Sequence, residues 1–280
     1  MTVSSDTERV DGARRAVASN PFWYHTIEVA PGVVTPGWFD LRPIVDLLPW
    51  PDVRGKRCLD VGTADGFLAF ELERRGAAEV VATDVADHTL WDYPARIRDR
   101  GIEFWIAVAG EKKGEGFRIA RDILGSRVRS LELSAYDLGP SEVGEFDVVV
   151  CGSLLLHLRD PVRALEAMRS VCTGKLLVTN QVALRISVLH RSPLATFEGM
   201  TDLGQWWVPN PLGNRRIVES AGFDIERESG IFAVPFGAGH TPRRGGARAL
   251  SRRLARRLLS GGDGVPHHAV LATPAVEAPR

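Results

Sequence analysis

At 280 residues, with 44% hydrophobic and 25% charged side chains, the chain is ordinary globular material, long enough for one substantial core and a smaller appended element. Thirty-five basic residues balance thirty-five acidic ones and the isoelectric point is near 7.1, which excludes a whole-chain field pulling toward phosphate backbones or anionic lipid. No stretch approaches the roughly 20 apolar residues that cross a bilayer, and the start, MTVSSDTERVDGARR, lacks the apolar segment of a leader, so a cytoplasmic chain without membrane contact is expected. Cys58, Cys151 and Cys172 lie beside apolar runs with no C-x-x-C spacing. With no carboxylate or histidine cluster either, neither disulfides nor a metal site are expected.

Residues 7–19 have weak helical spacing and lead into 20–43, a stretch rich in aromatics, proline and glycine that suits ordered loops and short strands arranged as a lid. Segment 40–48 has helical spacing, and Pro51, Asp52 and Gly55 break the chain before the first strong strand, 56–61. Strand-like runs recur at 79–84, 129–133, 146–151 and 175–180, and they alternate with helical stretches at 67–75, 95–100, 116–124 and 161–171. This alternation predicts an α/β, Rossmann-like fold: a mostly parallel seven-stranded sheet with helices on both faces. Segment 210–221 fits a helix stopped by Gly222, followed by two closing strands, 223–232 and 267–273. The chain thus divides into a lid extension, 1–55, and a domain, 56–280, the latter carrying a substrate loop at 183–210 and a basic helix at 242–262.

The chemistry begins at Cys58-Leu59-Asp60-Val61-Gly62-Thr63-Ala64-Asp65-Gly66-Phe67, where a buried strand ends at an acid, the chain turns through two glycines and a helix follows. Backbone N–H groups are expected to face a ligand lying over that turn, and Gly62 and Gly66 to allow its close approach. The next strand ends at Asp84, twenty-two residues beyond Gly62, where a carboxylate accepts hydrogen bonds from both hydroxyls of a ribose. A dinucleotide fingerprint begun at Gly62 needs glycines at 64 and near 67, but Ala64 and Phe67 stand there, which disfavours hydride transfer. S-adenosylmethionine carries no pyrophosphate; an acid and two spaced glycines, D-x-G-x-x-x-G, suffice for it, and Asp60, Gly62 and Gly66 supply them. A third acid, Asp137, follows Tyr136, and the run Phe146-Asp147-Val148-Val149-Val150-Cys151-Gly152 comes in the required order.

On these residues, segment 56–182 resembles the class I S-adenosylmethionine-dependent methyltransferases. The resemblance implies that Asp60, Gly62, Thr63 and Gly66 hold the methionine part of the cofactor, Asp84 and Val85 the ribose, and Tyr136 and Asp137 the adenine edge. Cys151, Gly152 and Ser153 would form the neighbouring strand tip. Phe22-Trp23-Tyr24-His25, Gly152-Ser153-Leu154-Leu155-Leu156-His157-Leu158-Arg159-Asp160-Pro161, Gln205-Trp206-Trp207-Val208-Pro209-Asn210 and His267-His268-Ala269-Val270-Leu271 further resemble the enzymes that carboxymethylate 5-hydroxyuridine at the tRNA wobble position. That family grips the extra carboxylate of a carboxylated cofactor with a tyrosine before the motif histidine and an arginine in the last strand, positions that here hold Leu156 and His268. A leucine cannot hydrogen-bond a carboxylate, and leaving the anion unpartnered costs a few kcal/mol, so transfer of a plain methyl group from the ordinary cofactor is expected.

Methyl transfer from a sulfonium is an in-line displacement, so an enzyme supplies alignment, plus a base when the nucleophile is a hydroxyl. His157 follows the fourth strand tip and is the first candidate, either as a base or as a structural histidine at a helix start; His25, in the aromatic segment, is the second. Cys151 has no base nearby in sequence that would activate a thiolate. Trp23, Tyr24, Trp38, Trp206 and Trp207 are candidates for a cage that stacks on a planar acceptor, with core packing as the alternative. Arg243, Arg244, Arg248, Arg252, Arg253, Arg256 and Arg257 surround leucines spaced every four residues, a helix that could track RNA, touch anionic lipid or simply cover the domain. Two functions stay open: methylation of a hydroxyl, or less readily an amine, on a small metabolite, and modification of tRNA.

Overall fold

The structure, a computed structural model, describes residues 2–200, 203–240, 257 and 259–276. In chain order its elements begin with α1 (Thr2–Ser19), the hairpin β1 (Glu28–Ala30) and β2 (Val33–Val34), and a 3-10 turn at Val45–Leu47. The alternating part then runs β3 (Arg57–Val61), α2 (Phe67–Arg74), β4 (Glu79–Asp84), α3 (Arg98–Ala109), α4 (Glu115–Leu124), β5 (Arg129–Glu132), α5 (Pro140–Val143), β6 (Phe146–Gly152), α6 (Pro161–Val171) and β7 (Cys172–Gln181). It closes with α7 (Leu184–Leu189), the hairpin β8 (Ala195–Phe197) and β9 (Trp207–Pro209), α8 (Pro211–Ser220), β10 (Phe223–Glu228), β11 (Phe232–Pro235) and β12 (Gly264–Pro274). Among the described residues no helix is long and apolar enough to cross a membrane.

The main sheet has the order β10-β12-β7-β6-β3-β4-β5, with β11 pairing the other half of β12 as an eighth strand. The strands β3 to β7 pair in parallel, and β12 runs antiparallel to both β7 and β10. Side chains alternate across the strands, so each strand feeds two layers. Cys58, Val80, Val148, Val150 and Leu177 pack under α1, α2 and α4, whereas Leu59, Val61, Val81, Val149 and Leu176 pack against Leu165, Met168 and Val171 of α6 and Val218 of α8. Helix starts follow local chemistry: Asp160 and Asn210 cap α6 and α8 by accepting from Arg163 N and Gly213 N, each with proline next in the chain.

Several expectations shift. The spacing at 40–48 yields only the 3-10 turn, because Pro43 and Pro49 flank it and Leu48 is extended. Helix α3 starts three residues later than expected and runs nine residues further. The strand expected at 223–232 is two, β10 and β11, parted at Ser229 and Gly230. Within 183–210 the structure adds α7 and the β8–β9 hairpin. The extension shares the larger core, since Val17, Trp23, Ile27, Val29 and Val33 pack in the same cluster as α2 and α4. Of the basic segment, Arg243, Arg244, Arg248, Arg252, Arg253 and Arg256 lie outside the described residues.

After β5 the chain returns to the far side of β3 as β6, so β3 and β6 run side by side while their helices leave to opposite faces. Such a reversal of strand order opens a crevice at the strand tips.

Candidate active site

A cavity of about 400 Å³ occupies that crevice, bounded by the tips of β3, β4, β6, β7 and β12 and roofed by the aromatic segment after α1. Its floor is the turn between β3 and α2. Gly62 has φ +77° and Gly66 φ +91°; a Cβ on Gly62 would lie 2.9 Å from the Leu154 side chain, and one on Gly66 2.7 Å from the stacked rings of Phe70 and Phe117. Both positions therefore require glycine. The N–H groups of this turn were expected to face a ligand, but four of them are engaged within the protein: Gly62 and Thr63 donate to Thr83 O (2.8 and 3.1 Å), Gly66 to Thr63 O (2.8 Å) and Ala64 to Asp84 Oδ2 (2.7 Å). The polar atoms left free are side-chain ones, Asp60 Oδ2 and Thr63 Oγ1, both buried and without a hydrogen-bond partner.

Three acids meet at this turn. Asp84 accepts from Ala64 N and, through Oδ1, from Val85 N (2.7 Å), and it pairs with Lys113 Nζ at 2.6 Å. Lys113 stands just before α4, its backbone N bonded to Ala86 O and its ammonium 4.5 Å above the Trp91 ring. Asp65 Oδ2 accepts from Tyr24 N (2.6 Å) and His25 N (2.9 Å), pinning the extension to the floor. Burial pushes its carboxyl up to about 6. Asp60 accepts no such backbone bonds through Oδ2, and burial, offset in part by the neighbouring Thr63 hydroxyl and with the Asp84 charge adding, pushes it up to about 7.

Of the other residues singled out in the sequence, His25, His157, Tyr24, Trp38, Val85, Tyr136, Gly152 and Ser153 line the cavity. His157 Nδ1 lies 3.3 Å from Gly204 O; a carbonyl only accepts, so Nδ1 carries the hydrogen and Nε2 keeps its lone pair. Burial lowers His157 to about 4 and His25, further opposed by the Lys113 charge, to about 3, so both are neutral at pH 7.

The remaining candidates sit elsewhere. Gly66 lies beneath the floor and Asp137 is exposed outside the wall. Cys151 is fully buried in the α6 layer, where burial pushes its thiol above the ordinary range. Trp23 is 2% exposed in the core, packed in the same cluster as Val17, with Nε1 donating to Val17 O. Trp206 and Trp207 stand behind the wall, their Nε1 groups donating to Asp92 O and Arg159 O. The part of the cage that sequence reasoning missed is Trp91, Tyr93 and Trp105. Phe22 packs edge-on against Trp38 and Trp105, with centroids 5.4 and 5.2 Å apart, and Trp91 stacks on Tyr93. Leu156 lines the cavity, but His268 does not: it faces Asn214 and Glu228 on the other side of β12, and His267 faces in.

The fold is that of a solved S-adenosylmethionine-dependent methyltransferase from Mesorhizobium loti, with a TM-score of 0.50 at 14% identity over 83% of this chain and 96% of that one. Residues 59–175 match a family described as a methyltransferase domain. A ubiquinone biosynthesis O-methyltransferase from Neisseria meningitidis serogroup C is 33% identical over 188 residues, which cover 64% of this chain and 68% of that protein. This chain belongs to the S-adenosylmethionine-dependent methyltransferases. The methyltransferase is also 25% identical to a tRNA U34 carboxymethyltransferase from Campylobacter hominis, over 56% of its own length and 47% of that protein's. Its cofactor is S-adenosylmethionine, and the crevice fits such a group: glycines clear the floor, and a buried carboxylate oxygen and a hydroxyl stand there without partners.

Proposed function

We propose that this methyltransferase methylates a hydroxyl on a small planar metabolite. The observation that carries this reading is the cavity wall itself, in which aromatic faces from Phe22, Trp38, Trp91, Tyr93 and Trp105 enclose a space that also holds neutral imidazoles. Planar rings stack on planar acceptors, and a neutral imidazole takes a proton. The likeness to an enzyme named as an O-methyltransferase supports the same choice.

In this reading Asp60, Gly62 and Thr63, over Gly66, hold the methionine part, Asp84 and Val85 the ribose, and Tyr136 the adenine edge. Asp137 and Cys151, off the wall, act at most through Tyr136 and Gly152. When bound, the cofactor supplies an electrophilic methyl on a sulfonium. Ser153 and Gly152 bound the space beside it, the neutral His157 ring positions the acceptor, and His25 shapes the opposite wall with Tyr24 and Trp38. Segment 1–55 serves as a lid held by Asp65, while Trp206 and Trp207 brace the wall around Leu156 from 183–210; Trp206 N donates to Leu156 O at 2.7 Å.

The tRNA reading has the Campylobacter relative in its favour and Leu156 against it, since that side chain offers a carboxylated cofactor no hydrogen bond. Incubation of the protein with labelled S-adenosylmethionine, a metabolite extract and bulk tRNA decides between them. Label is expected in a small-molecule fraction as a methyl ether; label in tRNA refutes the proposal.

A further inference from the structure

Ser153, at the tip of β6, holds φ +52°, a backbone conformation that residues with a side chain avoid, and its N–H is fixed on Thr179 O at 2.7 Å. That posture brings Ser153 Oγ to 2.9 Å from His267 Nε2, and both residues line the cavity. His267 Nδ1 lies 2.8 Å from Val265 O, which only accepts, so Nδ1 carries the hydrogen. In the neutral ring, Nε2 then has only a lone pair to offer, and the Ser153 hydroxyl donates to it. Burial holds His267 down to about 4 and so neutral at pH 7. The result is a hydroxyl with bare lone pairs backed by an oriented base.

We propose that Ser153 and His267 form a catalytic relay that takes the acceptor's hydroxyl proton, with Ser153 touching the acceptor and His267 acting through it; this rests on the hydroxyl reading above. As the acceptor oxygen attacks, its proton passes to Ser153 Oγ and the Ser153 proton passes to His267 Nε2. The oxygen's electron pair forms the new C–O bond and the pair of the broken C–S bond stays on sulfur. The sulfonium charge present before the step is balanced by an imidazolium after it.

The test uses full-length protein, S-adenosylmethionine and the phenol probe 4-nitrocatechol, with Ser153→Gly, which tolerates the positive φ and removes the hydroxyl, and His267→Gln. Both variants are expected to lose kcat on the order of 10²-fold with little change in KM, as for loss of a general base. Nitrogen NMR of labelled histidine is expected to show the His267 Nε2 signal moving in Ser153→Gly, a readout independent of turnover. Unchanged kcat in both variants, or an unmoved signal, overturns the relay while leaving the hydroxyl reading intact. Wild-type protein that places no methyl on the probe's oxygen overturns the hydroxyl reading and the relay with it.

Discussion

Lys113 sits where the ribose of the cofactor is expected, and replacing it tests that placement. A carboxylate offers about four lone-pair sites. Ala64 N, Val85 N and Lys113 Nζ take three at Asp84, yet two ribose hydroxyls need two. One donor must leave, and Lys113 is the only one of the three on a flexible side chain. The pair is partly exposed, 24% for Lys113 and 20% for Asp84, so after screening it is worth about 1 kcal/mol. Lys113→Met should therefore tighten S-adenosylhomocysteine about fivefold in calorimetry, and added salt should bring the wild type closer to the variant. Asp84→Ala removes the acceptor for both hydroxyls, at roughly 1.5–3 kcal/mol per charge-assisted bond, and should weaken binding by on the order of 10²-fold or more. A Lys113→Met protein that binds more weakly refutes the reasoning, because the ammonium would then be a contact to the cofactor instead of its competitor.

Asp65→Ala strands the buried N–H groups of Tyr24 and His25, each at about 1–3 kcal/mol; hydrogen exchange should quicken over residues 22–39 while the β3–β6 core stays protected, and Asp65→Asn, which keeps an acceptor oxygen, should retain much of the protection. Asp60 gives a pH test. Its carboxyl rises from 3.8 to about 7 on folding, so the stability held in its neutral form is fully present below 3.8 and is lost as pH rises through about 7. Asp60→Asn, permanently neutral, should melt higher than wild type at about pH 8, with a gap that shrinks toward pH 4 and is level above pH 7. A gap that does not change with pH refutes the burial argument.

The alternating part of the fold was legible because period and punctuation agree there. Val80, Val81 and Ala82 form an apolar run between Gly76 and Asp84, and Asp160-Pro161 announces α6, so β4 and α6 emerge with the expected ends. Where local signal was weak, packing decided instead. Segment 40–48 has apolar spacing but sits between prolines, and α3 is built from Ile102, Trp105 and their neighbours, which gain burial only against Tyr93 and Phe22. The site divided in the same way. Asp60, Gly62 and Asp84 could be read from the sequence because they sit at or just past the ends of the apolar runs that form β3 and β4. Lys113, Asp65 and His267 could not, since their partners lie 29, 41 and 114 positions away and no spacing rule links them. Trp23 and Trp206 show the converse error: a tryptophan beside a site satisfies its own N–H on a backbone carbonyl and packs its ring wherever apolar area is available.

Three carboxylates, Asp60, Asp65 and Asp84, meet at one turn in the fold, and their surroundings give each a different task. Asp84 spends its oxygens on two backbone donors and a lysine, so it fixes the turn and can take both hydroxyls of a ribose only by releasing the lysine. Asp65 is committed to the extension, and its two bonds make the floor and the roof of the cavity one unit. Asp60 alone is buried with a free oxygen, the arrangement that costs the empty fold most and that a cationic ligand relieves most. Cofactor affinity should accordingly depend most steeply on pH through Asp60, weakening below about pH 7 as the carboxyl takes up its proton, and in Asp60→Asn that slope should vanish.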